Sequence, residues 1–282
     1  MSGGAFLDPR ALRHRRPQRC FEGVAVLQIA HRRIGSGSAT TVMLRRVRME
    51  QGRRMNDSSE WNADVLVVVP AHNESGVIGP VVEDLAVQFP NVLVIDDGSA
   101  DATGQVAAQA GAKVAYHLIN LGQGGALITG FKVASALPRI NWVVTFDADG
   151  QHRVEDAVAM LELARSDQLD VVLGTRFGEG TSDASAVKRF VLRLATVYTR
   201  WSTGLSVTDT HNGLRVLSRQ VAEGIVIRDR GMGHASDILD FIAHTNLNWQ
   251  EHPVHIAYTD YSTAKGQSMF NALNIIFDRW VR

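Results

Sequence analysis

The chain has 282 residues, 45% of them hydrophobic, which is enough for one α/β domain with a sizeable core or for two small domains. Its formal net charge is zero, but residues 1–54 hold twelve arginines and three acidic residues, a net charge of +9, so the remainder carries −9. An acidic remainder argues against nucleic-acid binding. Cys20 is the only cysteine and no apolar run approaches 18 residues, so we expect no intrachain disulfide, no cysteine-based zinc site and no membrane span. These features suit a cytoplasmic protein, or one peripheral on the cytoplasmic face of a membrane.

The basic residues 1–60 are predicted to be a disordered extension outside the fold. They lack the apolar stretch of a secretory signal. Other interpretations stay open: a tail that binds anionic lipid or nucleic acid, an organelle transit peptide, or translated upstream sequence before a natural start at Met55.

From residue 64 onward, short apolar runs alternate with amphipathic segments. Strands are predicted at 65–69, 92–95, 114–117, 142–146 and 171–173, with helices at 77–88, 102–110, 124–137 and 154–166. Strands rich in Val and Ile on both faces, separated by helices, predict a mostly parallel sheet covered on both sides, an α/β fold. Beyond it we expect a helix at 186–203, a loop at 208–215, a helix around Asp237 and a last strand at 252–258.

Polar, acidic or glycine-rich clusters follow each of the first five predicted strands. They are Pro70–Glu74, Asp96–Ser99, Asn120–Gly125, Phe146–Gly150 and Gly174–Arg176. Ligands of such sheets bind beyond the carboxyl ends of the strands. Five clusters at one edge are hard to explain as turns alone, so this edge is the candidate site.

Asp147 and Asp149 are two carboxylates at spacing i, i+2 after a buried strand, which places both on one side of the strand end. Like charges this close need a counter-ion, and a hard divalent cation such as Mg2+ or Mn2+ is a natural partner. Gln151 and His152 follow and would extend the coordination shell. An Asp-Gly turn is the alternative, and this segment alone favours neither.

These segments resemble family 2 glycosyltransferases of the GT-A fold, in particular the dolichol-phosphate mannose synthase and polyprenyl-phosphate sugar transferase branch. The matching motifs are Val-Pro-Ala-His-Asn-Glu (69–74), Ile-Asp-Asp-Gly-Ser (95–99), Asp-Ala-Asp-Gly-Gln-His (147–152), Gly-Thr-Arg-Phe (174–177) and Asp-x-x-x-Gly-x-Arg (209–215). Each motif is weak alone, but their order and spacing together are specific. The resemblance implies a single catalytic domain over residues 61–268, with a nucleotide-binding sheet flanked by helices.

The resemblance also implies roles for a nucleotide-sugar donor site. Pro70, Ala71 and His72 would line the nucleotide, followed by Asn73. Glu74 and Asp97 would accept hydrogen bonds from the base or ribose. Other residues implied beside the donor are Ile95, Gly124, Asp147 and Ala148, although the run 122–125 is also explained by a tight turn.

The metal would be held by Asp149, with Gln151 and Asp147, and would neutralise the diphosphate leaving group. Arg176 would assist that charge or bind an acceptor phosphate. Transfer in this branch inverts the sugar carbon. A polyprenyl phosphate acceptor needs no general base, whereas a hydroxyl acceptor does. Asp209 is the first candidate for that base and Asp237 the second, with a helix N-cap or an exposed helix position as the alternative for Asp237.

The C-terminal region departs from the family. The mannose synthases carry an Arg where this chain has Tyr261 and a Lys near Gln267, so Lys265 is the candidate substitute for the mobile cation over the diphosphate. Residues 269–282 are predicted to form an amphipathic helix, either an interfacial anchor or a helix packed on the sheet or on a second subunit of a homo-oligomer.

The primary prediction is an inverting, metal-dependent transferase that moves a sugar from a GDP- or UDP-linked donor to a polyprenyl phosphate. One alternative is a family 2 enzyme that adds a sugar to a hydroxyl of a growing glycan. The other is a nucleotide-sugar-binding protein without transfer activity.

Overall fold

In the described part of the chain the strands form one nine-stranded sheet, and its central strands are apolar, β-branched runs because both of their faces are buried. The computed structural model describes residues 27–29, 42–44, 62–176, 205–210, 212–231 and 233–257. The strands are β1 (Leu27–Ile29), β2 (Val42–Leu44), β3 (Val65–Ala71), β4 (Val92–Asp96), β5 (Lys113–His117), β6 (Trp142–Thr145), β7 (Val171–Thr175), β8 (Arg215–Ser218) and β9 (Trp249–Pro253). The helices are α1 (Ile78–Gln88), α2 (Thr103–Gln109), α3 (Gln123–Ser135), α4 (Val154–Ser166), α5 (Arg219–Gly224) and α6 (His234–Ala243).

The strand order is β2-β1-β5-β4-β3-β6-β8-β7-β9, and most neighbours are parallel. β8 is antiparallel to both β6 and β7. β3 to β7 therefore point the same way, and their carboxyl ends meet at one edge. The predicted α/β fold with a mostly parallel sheet is confirmed.

Helices cover both faces of the sheet. On one face α3, α5 and α6 pack on alternate strand residues such as Val68 and Leu173. On the other face α1, α2 and α4 pack on the intervening residues, such as Val67 and Val172. Alternation along each strand thus supplies two cores from one sheet. Gly130 of α3 lies so close to β3 that an added Cβ would stand 2.3 Å from a Val68 methyl carbon.

The structure differs from the sequence expectations at four strands. β8 begins inside the segment 208–215 that we expected to be a loop, and four residues carry too little periodicity to predict it. β9 covers Trp249–Pro253 rather than 252–258, because this outer strand is largely polar and half-exposed. β1 and β2 belong to the segment 1–60 that we expected to be disordered, and β1 pairs with β5.

Pairing with β1 covers an edge of β5 that would otherwise be open. The expectation of disorder therefore fails at these six residues. The rest of residues 1–60, the helix expected at 186–203 and the C-terminal helix at 269–282 lie outside the described residues. Within the described ranges, no helix has the length and apolar character needed to cross a bilayer.

Candidate active site

The loop after β3 is bonded to the loop after β4. The His72 ring donates from Nδ1 to the Asp97 carbonyl oxygen at 3.0 Å. Asn73 has a positive φ of 55° and donates its backbone N–H to the Ser99 hydroxyl at 3.0 Å. The Glu74 N–H donates to the Thr103 hydroxyl at 2.8 Å. The segment predicted to line the nucleotide is thus held in one conformation by its neighbour.

Asp97 organises the loop after β5. Its Oδ1 accepts hydrogen bonds from His117 Nδ1 at 2.6 Å and from the Leu121 N–H at 2.9 Å, and its Oδ2 accepts from the Gly122 N–H at 2.7 Å. These use three of roughly four acceptor positions of a carboxylate. A nucleobase contact by Asp97 stays a prediction, and it would use the position that remains. Asp96 instead performs turn chemistry, accepting from the backbone of Ser99 and Gly104.

The glycines at 122–125 make room for another part of the protein. A Cβ at Gly122 would stand 2.3 Å from the Arg230 carbonyl oxygen, and one at Gly124 would stand 2.4 Å from that of Asp229. The Gly125 N–H donates to the Arg230 carbonyl at 3.2 Å. The segment 229–231 therefore rests on the first turn of α3. Donor binding by Gly124 stays a prediction, but this backbone contact explains the glycine.

Asp147 accepts hydrogen bonds from two side chains. Gln123 Nε2 donates to its Oδ1 at 3.0 Å, and His152 Nε2 donates to its Oδ2 at 3.1 Å. Burial by itself would raise the pKa of Asp147, but the His152 hydrogen bond and the charge of Arg215 lower it below its usual range. About a quarter of the side chain stays exposed (28%). A Cβ at Gly213 would stand 2.0 Å from Asp147 Oδ2, so only glycine fits there.

Asp149 carries negative charge that the surrounding protein compensates poorly. Burial raises its pKa to about 6, and repulsion by Asp147 and Glu74 acts in the same direction. The hydrogen bond that Asp149 accepts from the Gln151 N–H at 3.0 Å lowers the pKa but does not offset these effects. A cation beside Asp149 would remove this penalty, so the residues fit a hard divalent ion. In the described ranges no three His, Cys, Asp or Glu side chains form a metal-binding group. A pair of carboxylates is what Mg2+ commonly uses beside substrate phosphates.

A cavity of about 240 Å³ lies beside Asp149. Its walls include Val77, Pro80 and Val81 of the α1 region, with Phe146 and His152 opposite. The chain after β9 contacts the loop between β6 and α4, because the Ala257 N–H donates to the Gln151 carbonyl at 2.9 Å.

Arg176 and Asp209, both predicted to be catalytic, are partners. Arg176 Nε and Nη2 donate to Asp209 Oδ2 and Oδ1 at 2.6 and 2.8 Å, and the Arg176 N–H adds a bond to Oδ2 at 3.1 Å. Glu251 of β9 supports the pair by accepting from the Asp209 N–H at 3.3 Å. A base role for Asp209 would require this ion pair to open. The two catalytic roles stay predictions.

Asp237 bonds the segment before its own helix. Its Oδ2 accepts from the N–H groups of Arg228 and Asp229 at 2.7 and 2.8 Å. Asp237 lies in the first turn of α6, whose N-cap is Gly233, so it is not the helix N-cap offered as the alternative, and its catalytic role stays a prediction.

Three further residues of the edge received no role from the sequence. Gln123 bonds Asp147, and its position next to the glycine run was the available signal. Arg215 lies on β8 and is 3% exposed. Burial lowers its pKa, and the negative charges of Asp147 and Asp209 oppose this by raising it. Its Nη1 has no hydrogen-bond partner in the described part of the chain. His234 starts α6, and the Gly231–His234 turn was its signal.

Among the other predicted donor-binding residues, Ala71, Ile95 and Ala148 are buried and Pro70 is partly exposed. Pro70 and Ala71 end β3, and the Ala71 carbonyl accepts from the Asp97 N–H at 2.8 Å. Ile95 and Ala148 are buried in the two cores, so their side chains contribute packing. Lys265 lies outside the described residues.

This architecture defines a class of protein. The fold is the GT-A glycosyltransferase fold, and it aligns with glucosyl-3-phosphoglycerate synthase from Mycobacterium tuberculosis, solved in complex with Mn2+, UDP-glucose and phosphoglyceric acid. The TM-score is 0.56 at 18% sequence identity, over 80% of this chain and 81% of that one. Residues 66–226 match the model of the glycosyl transferase family 2. The chain belongs to that family and is a glycosyltransferase.

Two relatives illustrate the family. An uncharacterised protein of Methanocaldococcus jannaschii is 32% identical over 81% of this chain and 97% of its own length. The UDP-N-acetylglucosamine–dolichyl-phosphate N-acetylglucosaminyltransferase of Methanococcus voltae is 28% identical over 76% of this chain and 93% of its own length. The resemblance found in the sequence is thereby confirmed.

Proposed function

We propose that this enzyme transfers a sugar, with inversion, from a UDP- or GDP-linked donor to a polyprenyl phosphate, with Mg2+ or Mn2+ bound at the carboxyl edge. The observation that carries the proposal is the carboxylate pair Asp147 and Asp149, in which burial and then repulsion by Asp147 raise the pKa of Asp149 to about 6. The name of the Methanococcus voltae relative supports a lipid-phosphate acceptor.

Asp149 and Gln151 would hold the metal, and Asp147 would face the donor between Gln123 and His152. When bound, the metal supplies positive charge to the diphosphate leaving group. Arg176 adds a second positive group at this edge, oriented by Asp209.

The state of the two base candidates favours an acceptor that is already ionised. Both oxygens of Asp209 bind Arg176, and Asp237 binds backbone N–H groups of its own loop. A polyprenyl phosphate oxygen needs no base to remove a proton, whereas a sugar hydroxyl does. Contact with a membrane through residues 269–282 and homo-oligomer formation stay predictions.

The test is release of nucleoside diphosphate from UDP- and GDP-sugars, with polyprenyl phosphate, with a glycan hydroxyl acceptor and with neither. We expect release that needs the lipid phosphate, stops with EDTA, returns with Mn2+ or Mg2+ and is lost in Asp149→Ala. Turnover that is indifferent to EDTA would contradict the metal proposal. Turnover with the glycan acceptor alone would select the hydroxyl alternative.

A further inference from the structure

His234 is a largely buried residue that carries an unused hydrogen-bond acceptor beside the candidate active site. Only 3% of the residue is exposed. Its ring Nδ1 lies 2.7 Å from the Gly231 carbonyl oxygen. Because a carbonyl only accepts, the proton sits on Nδ1, and a neutral ring then carries a lone pair on Nε2. Burial, and then the charge of Arg215, lowers the pKa of His234 to about 4, so the ring is neutral at pH 7.

The imidazole sits between two elements of the site. A Cβ at Gly124 would stand 2.9 Å from His234 Cβ, which places the residue against the first turn of α3. The neighbouring Gln123 bonds Asp147. Arg215 and Asp147 both act electrostatically on the ring. The His234 ring therefore lies near Arg215 and Asp147 at this edge of the sheet.

The chemistry of Nε2 restricts which ligand groups can form a hydrogen bond with it. In the described part of the chain no donor bonds Nε2, and Nε2 is not among the fully buried side-chain atoms that lack a partner, so this acceptor is open to a ligand. A phosphate oxygen cannot donate to it. His234 belongs to no metal-binding group of the described residues, and the nearby Arg215 charge disfavours a cation. A neutral donor, such as a sugar hydroxyl, suits Nε2.

We propose that His234 Nε2 accepts a hydrogen bond from one hydroxyl group of the transferred sugar and so contributes to the choice of sugar. This inference rests on the proposed function, because it needs a nucleotide-sugar donor at this edge. His234 is a specificity residue here, and it takes no part in bond formation or cleavage.

The experiment compares a turned-over nucleotide sugar with its monodeoxy analogues, each lacking one hydroxyl. Wild-type enzyme should lose about three- to tenfold in kcat/KM on one analogue, the range expected for one neutral hydrogen bond. His234→Phe keeps the ring volume but removes the acceptor, so the parent sugar should fall to the level of that analogue. His234→Gln places an amide oxygen near the Nε2 position and should restore part of the difference.

A binding measurement separates this role from packing. The Kd of the nucleoside diphosphate without sugar should be the same in wild type and His234→Phe. His244→Phe is the matched control. Like His234, His244 donates from Nδ1 to a backbone carbonyl at 2.7 Å, here that of Asp240, but His244 is exposed. The control should keep the wild-type preference among the sugars.

Three results would overturn the inference. One is a wild-type enzyme whose kcat/KM is the same on every monodeoxy analogue as on the parent sugar. This result does not depend on whether any variant folds. Another is a His234→Phe enzyme that loses activity equally on all analogues, and the third is one that binds the nucleoside diphosphate more weakly. The last two would assign His234 to support of Arg215. A wild-type protein that binds no nucleotide sugar would instead refute the proposed function.

Discussion

Arg176 and Asp209 come from segments 33 residues apart and form a two-pronged ion pair, with Nε–Oδ2 and Nη2–Oδ1 distances of 2.6 and 2.8 Å. The Asp209 side chain is 1% exposed and that of Arg176 16%. The pair thus joins the end of β7 to the segment before β8, and it removes both carboxylate oxygens of Asp209 from the solvent.

Asp209→Asn should strongly destabilise the protein, because it removes the buried carboxylate charge that pairs with the Arg176 guanidinium. We expect a loss of about 3 kcal/mol in the free energy of unfolding, typical for one partner of a buried pair. Urea unfolding measures it. Glu223→Gln is the control: Glu223 pairs with Arg219 at 2.7 Å, but its side chain is 42% exposed. That change should cost about 0.5 kcal/mol or less. Equal losses in both variants would contradict this reading of the pair.

Gly213→Ala should disturb Asp147, because the new Cβ would overlap its carboxylate at 2.0 Å. We expect a loss of about 1–3 kcal/mol in stability, the usual cost of overpacking, together with a large loss of turnover. Gly79→Ala is the matched control, since its Cβ would meet only a Val106 methyl carbon at 3.2 Å. Thermal unfolding and nucleoside diphosphate release measure both variants. A Gly213→Ala enzyme with wild-type turnover would show that Asp147 tolerates displacement.

Asp149→Asn should stabilise the metal-free protein at pH 7.5 while abolishing metal-dependent turnover. Burial and the Asp147 charge raise the pKa of Asp149 from 3.8 to about 6. A raised folded-state pKa contributes stability at low pH that is lost as the pH rises toward and through 6. At pH 7.5 the ionised carboxylate therefore costs up to about 3 kcal/mol, which the amide removes. The unfolding temperatures of both proteins in EDTA check this. A less stable variant would mean that another group compensates Asp149.

His234 should make stability fall in mild acid. Its folded-state pKa of about 4 lies below the ordinary histidine pKa of 6.5, first because of burial and then because of the charge of Arg215. The unfolded state therefore binds more protons between these values, so this contribution is complete above pH 6.5 and is lost as the pH falls through 4. The full effect is about 3 kcal/mol. Because Asp149 acts in the opposite direction over part of this range, the test is the difference in unfolding free energy between wild type and His234→Gln. That difference should rise from pH 4 to 6.5 and then level off. A flat difference would contradict the neutral, buried ring.

Asp237→Asn should separate a catalytic role of Asp237 from its observed role of binding the segment before α6. The amide oxygen can still accept from the Arg228 and Asp229 N–H groups, so we expect stability within about 1 kcal/mol of wild type and nearly unchanged turnover. A general base would instead lose turnover by about 10²-fold or more. Steady-state rates with a hydroxyl and a phosphate acceptor measure this directly.

Sequence patterns predicted the elements whose signal is local. Val65–Val69 and Val92–Ile95 read as buried strands, and the structure extends them to Ala71 and Asp96. β8 was missed because Arg215–Ser218 is short, and β9 was displaced because Trp249–Pro253 is a polar outer strand. Burial of these strands depends on their neighbours in the sheet, which no local pattern records.

The hydrogen-bonded pairs at the site could not be predicted from the sequence for a related reason. The motif residues Asp97, Asp147 and Asp209 were identified as candidates, but their hydrogen-bonded pairings were not. His117, Gln123 and Arg176 lie 20, 24 and 33 residues away from them. Which donor reaches which carboxylate depends on strand order and on the path of the loops.

The sequence by itself determined that acidic and glycine-rich segments gather at one edge of a parallel sheet, because alternating strands and helices place every strand end on the same side. Only the tertiary structure decided how those residues are used. It pairs Asp209 with Arg176, holds Asp147 between Gln123 and His152, and leaves Asp149 with a raised pKa. The physical reason is that a charge is set by all the groups packed around it, and those groups are distant in the chain.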